Sequence, residues 1–445
     1  MRQEISIVIA PESDAKKEVA KFSLHFAEQP TDIVLDVNAA ALLKVSRTVP
    51  DLAQDFLCVA SCIYAADKAV PRDGAEDRWT RHLAIEIPVE HVSTWADIAG
   101  DLSDCVGFLT GDRWEISFRH GEKRLIQKTT RKRRGPYKRP SGKAVCLFSG
   151  GLDSFIGAVD WFTDNPGERL LLVAHYDRHI SGPAADQRAL RDACRQKFPG
   201  RFELAQTQVG LSAGSADTNF RGRSLLFIAL GCYFAEILGE GTPVLIPENG
   251  SIALNFPLTP ARRGSCSTRT VHPQFLAGVN QILKRVGLHY PIHNPYALKT
   301  KGEMVDNCRD QNFLDRTYAL TRSCAKANHR EAWTDRTARS CGVCIPCLFR
   351  RAALNRSGRD DELYGKKIEA ITSLDSTPTD VLALVTFLRS KPSDRQIAAT
   401  LLGNGKLPLE QLSLYVNLVK RMRTEILAWL RTKGSAYLKN EVRAC

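Results

Sequence analysis

The stretch that most constrains how this chain can fold is Ala144-Val145-Cys146-Leu147-Phe148-Ser149-Gly150-Gly151-Leu152-Asp153-Ser154. An apolar run rich in strand formers stops at Ser-Gly-Gly. A helical pattern carried by Phe155, Ile156, Val159, Trp161 and Phe162 opens directly after it. Strand, glycine turn and helix start, in that order, form a cradle for a phosphate. The glycines let the backbone approach an anion with no Cβ in the way, and the first-turn N–H groups lie at the positive end of the helix dipole. Ser149 and Ser154 add hydroxyl donors, and Asp153 can orient a donor or hold a metal ion. The motif is neither the Walker A loop, which needs Gly-Lys-Ser/Thr, nor the dinucleotide Gly-x-Gly-x-x-Gly turn.

Downstream, strand and helix patterns alternate with short links. Residues 170–175 form a near-continuous apolar run, as a buried parallel strand does. Residues 202–209 and 244–247 read as further strands, and 183–198, 222–238 and 272–286 as helices. The alternation predicts an α/β fold with a doubly wound parallel sheet, which binds ligands outside the carboxyl ends of its strands. The Ser-Gly-Gly turn sits at one such end, and Glu248-Asn249-Gly250 follows another. Beyond it, Asn255, Arg262, Thr268, Arg269 and His272 lie in a segment dense in hydrogen-bonding side chains beside a strand end, where a ligand would sit. The bland alternative there is a polar surface loop with turn prolines.

The preceding part, residues 1–130, reads as an α+β recognition or docking domain. Residues 5–10, 33–37, 82–89 and 114–120 have strand character. Residues 51–70 form a helix with Leu52, Phe56, Val59, Ile63 and Ala66 on one face, and Ser93 caps another helix running towards Leu109. His82, His91 and His120 are isolated and read as structural or exposed. Residues 131–143 form a basic linker around Arg131-Lys132-Arg133-Arg134, broken by Gly135, Pro136 and Pro140. It is either a solvated hinge or an electrostatic contact for nucleic acid or an acidic protein patch, the hinge being favoured. The net charge of +13 suits a polyanionic ligand without identifying it. With 445 residues, 43% hydrophobic, the chain can bury a large core in two or three units. No apolar run reaches membrane-spanning length, and Met1-Arg2-Gln3-Glu4 lacks a signal-peptide pattern, which predicts a soluble cytoplasmic protein.

Thirteen cysteines in such a chain argue for thiols and a metal site rather than disulfides. Cys341, Cys344 and Cys347 have Cys-x2-Cys-x2-Cys spacing, and Cys324 lies 17 positions upstream. Four thiolates can close a tetrahedral Zn²⁺ site of the structural kind, an iron–sulfur cluster being the competitor. The tail, residues 358–445, reads as a helical extension. One helix starts at Thr377-Pro378-Thr379-Asp380 with Pro378 at its first position, a second starts at Ser393, and a third is long and amphipathic. In the third, Leu412, Tyr415, Val419, Met422, Ile426 and Trp429 form a stripe that packs on the protein's own body or, alternatively, on a second copy.

Taken together, residues from roughly 141 to 357 resemble the 7-cyano-7-deazaguanine synthase (QueC-like) family of PP-loop ATP pyrophosphatases, the domain itself being read as 144–357. The likeness rests on Ser149-Gly150-Gly151-Leu152-Asp153-Ser154 and on Ser323-Cys324 with the downstream cysteine cluster. Arg221-Gly222-Arg223-Ser224 resembles the family's Gly-Arg-Asn element, and residues 295–303 its Thr-Pro-Leu…Lys-x-Glu stretch, which places Lys301 on the family lysine. The resemblance implies an adenine nucleotide alpha hydrolase-like sheet, ATP and Mg²⁺, and adenylation of the carboxylate of 7-carboxy-7-deazaguanine before attack by a nitrogen nucleophile. It makes Asp153, Arg223 and Lys301 catalytic. Ser149, Gly150, Gly151, Leu152, Asp153, Ser154 and Arg223 would hold the nucleotide; Glu248, Asn249, Asn255, Arg262, Thr268, Arg269 and His272, in the polar segment that stands where the family's substrate stretch would be, are read as holding the substrate, a flat heterocycle. Two departures stand out. The family's Tyr-Gly-Gln-Arg-His element is met only by Tyr176-Asp177-Arg178-His179, and its Tyr-Pro-Asp-Cys-Arg stretch is absent.

The added N-terminal unit and helical tail resemble the QueC-like proteins of bacterial anti-phage systems. That likeness implies a partner protein of the same operon and a protein amine as acceptor in place of ammonia. An ATP-pyrophosphatase that modifies tRNA, and a non-catalytic ATP-binding scaffold, are the alternative readings.

Overall fold

The computed structural model describes residues 2–10, 19–27, 33–38, 42, 51–121, 140–177, 179, 182–212, 221–262 and 269–445. The centre of the basic linker, residues 131–139, and Thr268 lie outside them. Among the described residues, ten strands form one sheet: β1 Arg2–Ala10, β2 Val19–Phe26, β3 Ile33–Asn38, β4 His82–Val89, β5 Arg113–His120, β6 Ala144–Leu147, β7 Leu170–Tyr176, β8 Phe202–Leu211, β9 Val244–Leu245 and β10 Ile292–His293. Their spatial order is β10-β9-β6-β7-β8-β3-β2-β1-β4-β5.

From β10 to β8 every pairing is parallel. Counted in chain order from β6, these strands stand fifth, fourth, first, second, third, so the direction of winding reverses between β6 and β9. Side chains of β6 alternate between two cores. Val145 and Leu147 face one, with the helices Arg223–Leu238 and Pro273–Val286. Ala144 and Cys146 face the other, with the helices Leu152–Asp164 and Pro183–Lys197. Helices on both faces make this part doubly wound, as the apolar runs predict.

The N-terminal strands do not form a sheet of their own. In β8, residues from Phe202 to Gln208 pair with β7, while Val209 to Leu211 pair antiparallel with β3. The helix Asp51–Ala69 is buried at every position from Ala53 onward, where its sequence pattern predicts one apolar face. It lies between the N-terminal sheet and the largely apolar helix Arg223–Leu238, and all three share one core. The boundary read at residues 131–143 therefore divides neither the sheet nor the core.

Two helix starts differ from expectation. Residues 93–109 are two helices, Val92–Ala96 and Ala99–Thr110, and His91 rather than Ser93 precedes the first. Pro378 is the N-cap of the helix Thr379–Ser390 and not its first residue, because its backbone stays extended at ψ 143°. Ser393 does cap the helix Asp394–Asn404, in a reciprocal box with Gln396. The helix Leu412–Lys433 buries Tyr415, Val419, Met422, Ile426 and Trp429 against the cysteine-rich segment and the other tail helices, so the stripe packs on the protein's own body. No helix among the described residues is long and apolar enough to cross a membrane.

Candidate functional site

β6 ends at Leu147, and the turn that follows is held from three sides. Gly150 has φ 86°, a left-handed conformation, and a Cβ there would lie 3.3 Å from Gln187 Cγ. Gln187 Nε2 donates to the carbonyls of Ser149 (3.3 Å) and His175 (3.0 Å), tying the ends of β6 and β7 together. The Arg322 N–H donates to the Gly150 carbonyl at 3.1 Å. Gly151 is the N-cap of the helix Leu152–Asp164, and its N–H donates to Ser149 Oγ at 3.2 Å. Ser154 Oγ donates to the Gly151 carbonyl at 3.0 Å and lies 3.1 Å from Ser149 Oγ. The thirteen-residue helix thus opens at the end of β6 with the hydroxyls of Ser149 and Ser154 beside its first turn.

The Glu248-Asn249 turn, after β9, is on the other side of the winding reversal, where ligands of such sheets bind. Asp153, 5% exposed, joins the two turns. Lys301 Nζ, 4% exposed as a residue, forms an ion pair with Asp153 Oδ1. Asp153 Oδ2 accepts from the Asn249 backbone N–H (3.1 Å) and from Asn249 Nδ2 (2.7 Å). Burial pushes the Asp153 carboxyl up, but Lys301, with Glu248 and Asn249, outweighs it and holds the group below its ordinary range. Glu248 moves the opposite way: burial and the adjacent Asp153 charge raise it well above the carboxylate range, so it donates a proton towards Asp153. Asn249 also caps the short helix Gly250–Ala253 through Ile252 N–H. Lys301 opens the helix Lys301–Asp306, whose N-cap Thr300 forms a capping box with Glu303.

Arg223, the first residue of its helix, stands at the end of β7. Its Nε donates to His175 Nδ1 at 3.3 Å, and His175 Nε2 donates to the Val209 carbonyl at 3.0 Å. Burial, then the Arg223 charge, lowers His175 to about 3, so the ring is neutral and its tautomer is set by these two partners.

The remaining residues expected to hold substrate are dispersed. Asn255 has φ 49°, its carbonyl accepts from Asn404 Nδ2 at 2.9 Å, and its own Nδ2 is buried with no hydrogen-bond partner among the described residues. Arg262 pairs with Asp380 of the tail. Arg269 donates to the Phe108 carbonyl at 2.6 Å and lies over that ring. His272 caps the helix Pro273–Val286, and burial with the Arg269 charge lowers it to about 4. Arg262, Arg269 and His272 thus each make a contact within the fold.

The four cysteines converge. Their Sγ atoms all lie within 4.8 Å of one another. Cys341 Sγ and Cys347 Sγ are 3.9 Å apart, near the roughly 3.8 Å edge of a tetrahedron with 2.3 Å metal–sulfur bonds. Backbone N–H groups point at the sulfurs: Cys341 to Cys324 at 3.3 Å and Cys344 to Cys341 at 3.3 Å. Gly342, φ 80°, makes the turn between them. A donor set of four converging thiols with N–H support fits a metal such as zinc. Elsewhere, burial raises the thiols of Cys146 and Cys194 to about 12, which removes them as nucleophiles.

Gln187, His175, Glu425 and the pair Arg322–Asp186 (2.6 Å) were not legible as parts of this region. Each reaches it from a distant element, and His175 alone carried a signal, as the polar end of an apolar strand. Comparison of the chain with protein-family models, with curated proteins and with solved structures gives no match in any of the three, so what the site does has to be argued from its own chemistry.

Proposed function

We propose that the chain is an ATP-dependent carboxylate-activating enzyme of the PP-loop type, acting on a 7-deazaguanine carboxylate and passing the acyl group to a nitrogen nucleophile. One observation carries this reading. A glycine turn at a helix start and a strand-end turn flank the winding reversal, and buried Asp153, ion-paired with Lys301, joins them through Asn249. In the first step a substrate carboxylate oxygen attacks the α-phosphorus of ATP, and the bond to pyrophosphate breaks. In the second, the amine nitrogen attacks the acyl carbon, loses a proton, and AMP leaves. Negative charge builds on the departing phosphates, which is what the Gly150–Gly151 turn, the Ser149 and Ser154 hydroxyls, Arg223 and Lys301 are suited to stabilise. Mg²⁺ would enter with the nucleotide and offset its charge. Both Asp153 oxygens are engaged by Lys301 and Asn249, so no step is assigned to a metal held by Asp153. Zinc at Cys324, Cys341, Cys344 and Cys347 would be a closed, structural site. A partner protein as acceptor, cytoplasmic location and a role in anti-phage defence belong to the same proposal.

The test is pyrophosphate release by the full chain with ATP and Mg²⁺, with and without 7-carboxy-7-deazaguanine, and with Asp153→Ala as control. Release that needs both the deazaguanine and Asp153 supports the reading. A flat baseline, persisting when candidate amine-bearing partner proteins are added, overturns it.

A further inference from the structure

We propose that Glu425, on the long helix of the C-terminal extension, is the positioning residue for Lys301, so that the extension forms part of the site. The geometry is specific to the residues on either side of Lys301. Thr300 Oγ1 donates to Glu425 Oε2 at 2.7 Å, and the Gly302 N–H donates to Glu425 Oε1 at 3.0 Å. One carboxylate therefore grips the Thr300 hydroxyl immediately before the lysine and the Gly302 backbone N–H immediately after it. Gly302 is required for the grip: a Cβ there would overlap the Glu425 carboxylate and Arg356 Cδ. The helix Lys301–Asp306 has six residues, too few to hold its own register, so tertiary contacts decide where Lys301 starts. Arg421, one turn earlier on the extension helix, adds a second tie at 2.6 Å to Glu303 and one at 2.8 Å to the Leu298 carbonyl. The Lys301 side chain then leaves this clamp for Asp153.

Glu425 is 5% exposed, and burial raises its carboxyl to about 7. The hydrogen bond from Thr300, the Arg356 charge (Nη1 at 3.8 Å) and the Gly302 N–H pull it back, and Glu303 pushes it further up. Those are the groups that face it from the helices Lys301–Asp306 and Ile345–Arg356. Above pH 7 the ionised carboxylate accepts both bonds and complements the helix N-terminus. Below pH 7 it is protonated, one oxygen becomes a donor, and the clamp on Lys301 loosens. The sign for stability is opposite. A carboxyl raised from 4.5 favours the fold while protonated and loses that contribution as pH rises through 7, so Glu425→Gln folds at least as well as the wild type at pH 8.

The inference concerns Lys301 whatever its role, and its effect on turnover rests on the proposed function. The experiment is a brief pulse of acetic anhydride on the full chain between pH 6 and 9. Acetylation of Lys301 is read by peptide mass spectrometry against the exposed Lys439 of the same molecule. In the wild type, Lys301 reacts more slowly than Lys439, and the ratio changes near pH 7. Glu425→Gln abolishes that change, and Glu425→Ala raises the ratio at pH 8 by about tenfold, the loss of a charged hydrogen-bonding partner. Superimposable wild-type and Glu425→Gln profiles overturn the proposal, and they remain informative even where Glu425→Ala fails to fold. A parallel arm adds ATP and Mg²⁺. Absence of ATP protection at Lys301 counts against the nucleotide site alone and leaves the clamp standing.

Discussion

Asp153 and Lys301 are buried charges that compensate each other, and neither is tolerable alone. Asp153→Asn leaves an unpaired ammonium in the interior and is expected to destabilise the fold by about 3–5 kcal/mol, with Lys301→Met similar in size. The double variant Asp153→Asn/Lys301→Met recovers most of that loss, because the volume stays filled while both charges go. Urea denaturation of the four proteins checks this, and additive losses in the double variant refute the pairing. Acid sensitivity follows from the same pair. Asp153 is held below its ordinary value of 3.8, so its contribution is present above pH 4 and disappears as pH falls through its lower value in the fold. Lys301→Met flattens the acid limb of the stability profile there. Pyrophosphate release, if the proposed chemistry is right, vanishes in both single variants and is not restored in the double, which separates stability from catalysis.

At the scale of elements, Gly157 shows how closely the helix Leu152–Asp164 approaches the strand end. A Cβ at Gly157 would overlap the Pro247 ring, so Gly157→Ala must push the helix off the turn that carries Glu248 and Asn249. The expected loss is about 1–3 kcal/mol, read in thermal unfolding. Gly167→Ala serves as comparison, since its surroundings are open and only its φ of 86° is strained. The cysteine knuckle is a second element-scale device. It leads into the helix Ile345–Arg356, whose Arg350 is buried between Glu362 (2.7 Å) and the Tyr318 carbonyl (2.9 Å). Cys344→Ser is expected to lower zinc content from one per chain towards zero and to lower the melting temperature. Elemental analysis with calorimetry measures both. Iron in place of zinc in the purified protein shows the competing cluster.

On the scale of the whole molecule, the N-terminal unit is an integral wall of the fold. Asp67 accepts the Gly222 N–H at 2.7 Å, one residue before Arg223. Lys68 is ion-paired with Asp177, one residue beyond β7, and Tyr64 packs edge-on against His175 at 5.7 Å between ring centroids. The helix Asp51–Ala69 thereby supports the His175–Arg223 contact from behind. Deleting residues 1–121 uncovers the edge of β8 and the apolar helix Arg223–Leu238. The expected product is aggregated rather than a smaller folded protein, and size-exclusion chromatography of the truncated chain decides it. A monomeric, cooperatively folding truncation means that the two parts are separable after all.

The local order strand, glycine turn, helix was legible at residues 144–164 because periodicity, φ preference and helix initiation are properties of neighbouring residues. The cysteine spacing was legible for a similar reason: three of the four cysteines lie within seven positions. The same reasoning passed over β2, although Phe22, Leu24 and Phe26 alternate inward as a strand requires, and it did not foresee the contacts that Arg262, Arg269 and His272 make within the fold. A polar side chain does not announce its partner. Whether Arg269 meets a substrate or the Phe108 carbonyl depends on a contact 161 residues away, which no local pattern encodes. The sequence by itself determined the strand–glycine turn–helix unit, the α/β alternation of the parallel sheet and the four cysteines that could hold a metal. Only the tertiary structure decided that the N-terminal strands extend that sheet through β8, that Lys301 reaches Asp153, and that Glu425 of the tail holds Lys301 in place. Those three rest on long-range packing and on ion pairs formed when distant elements exclude water from the same place.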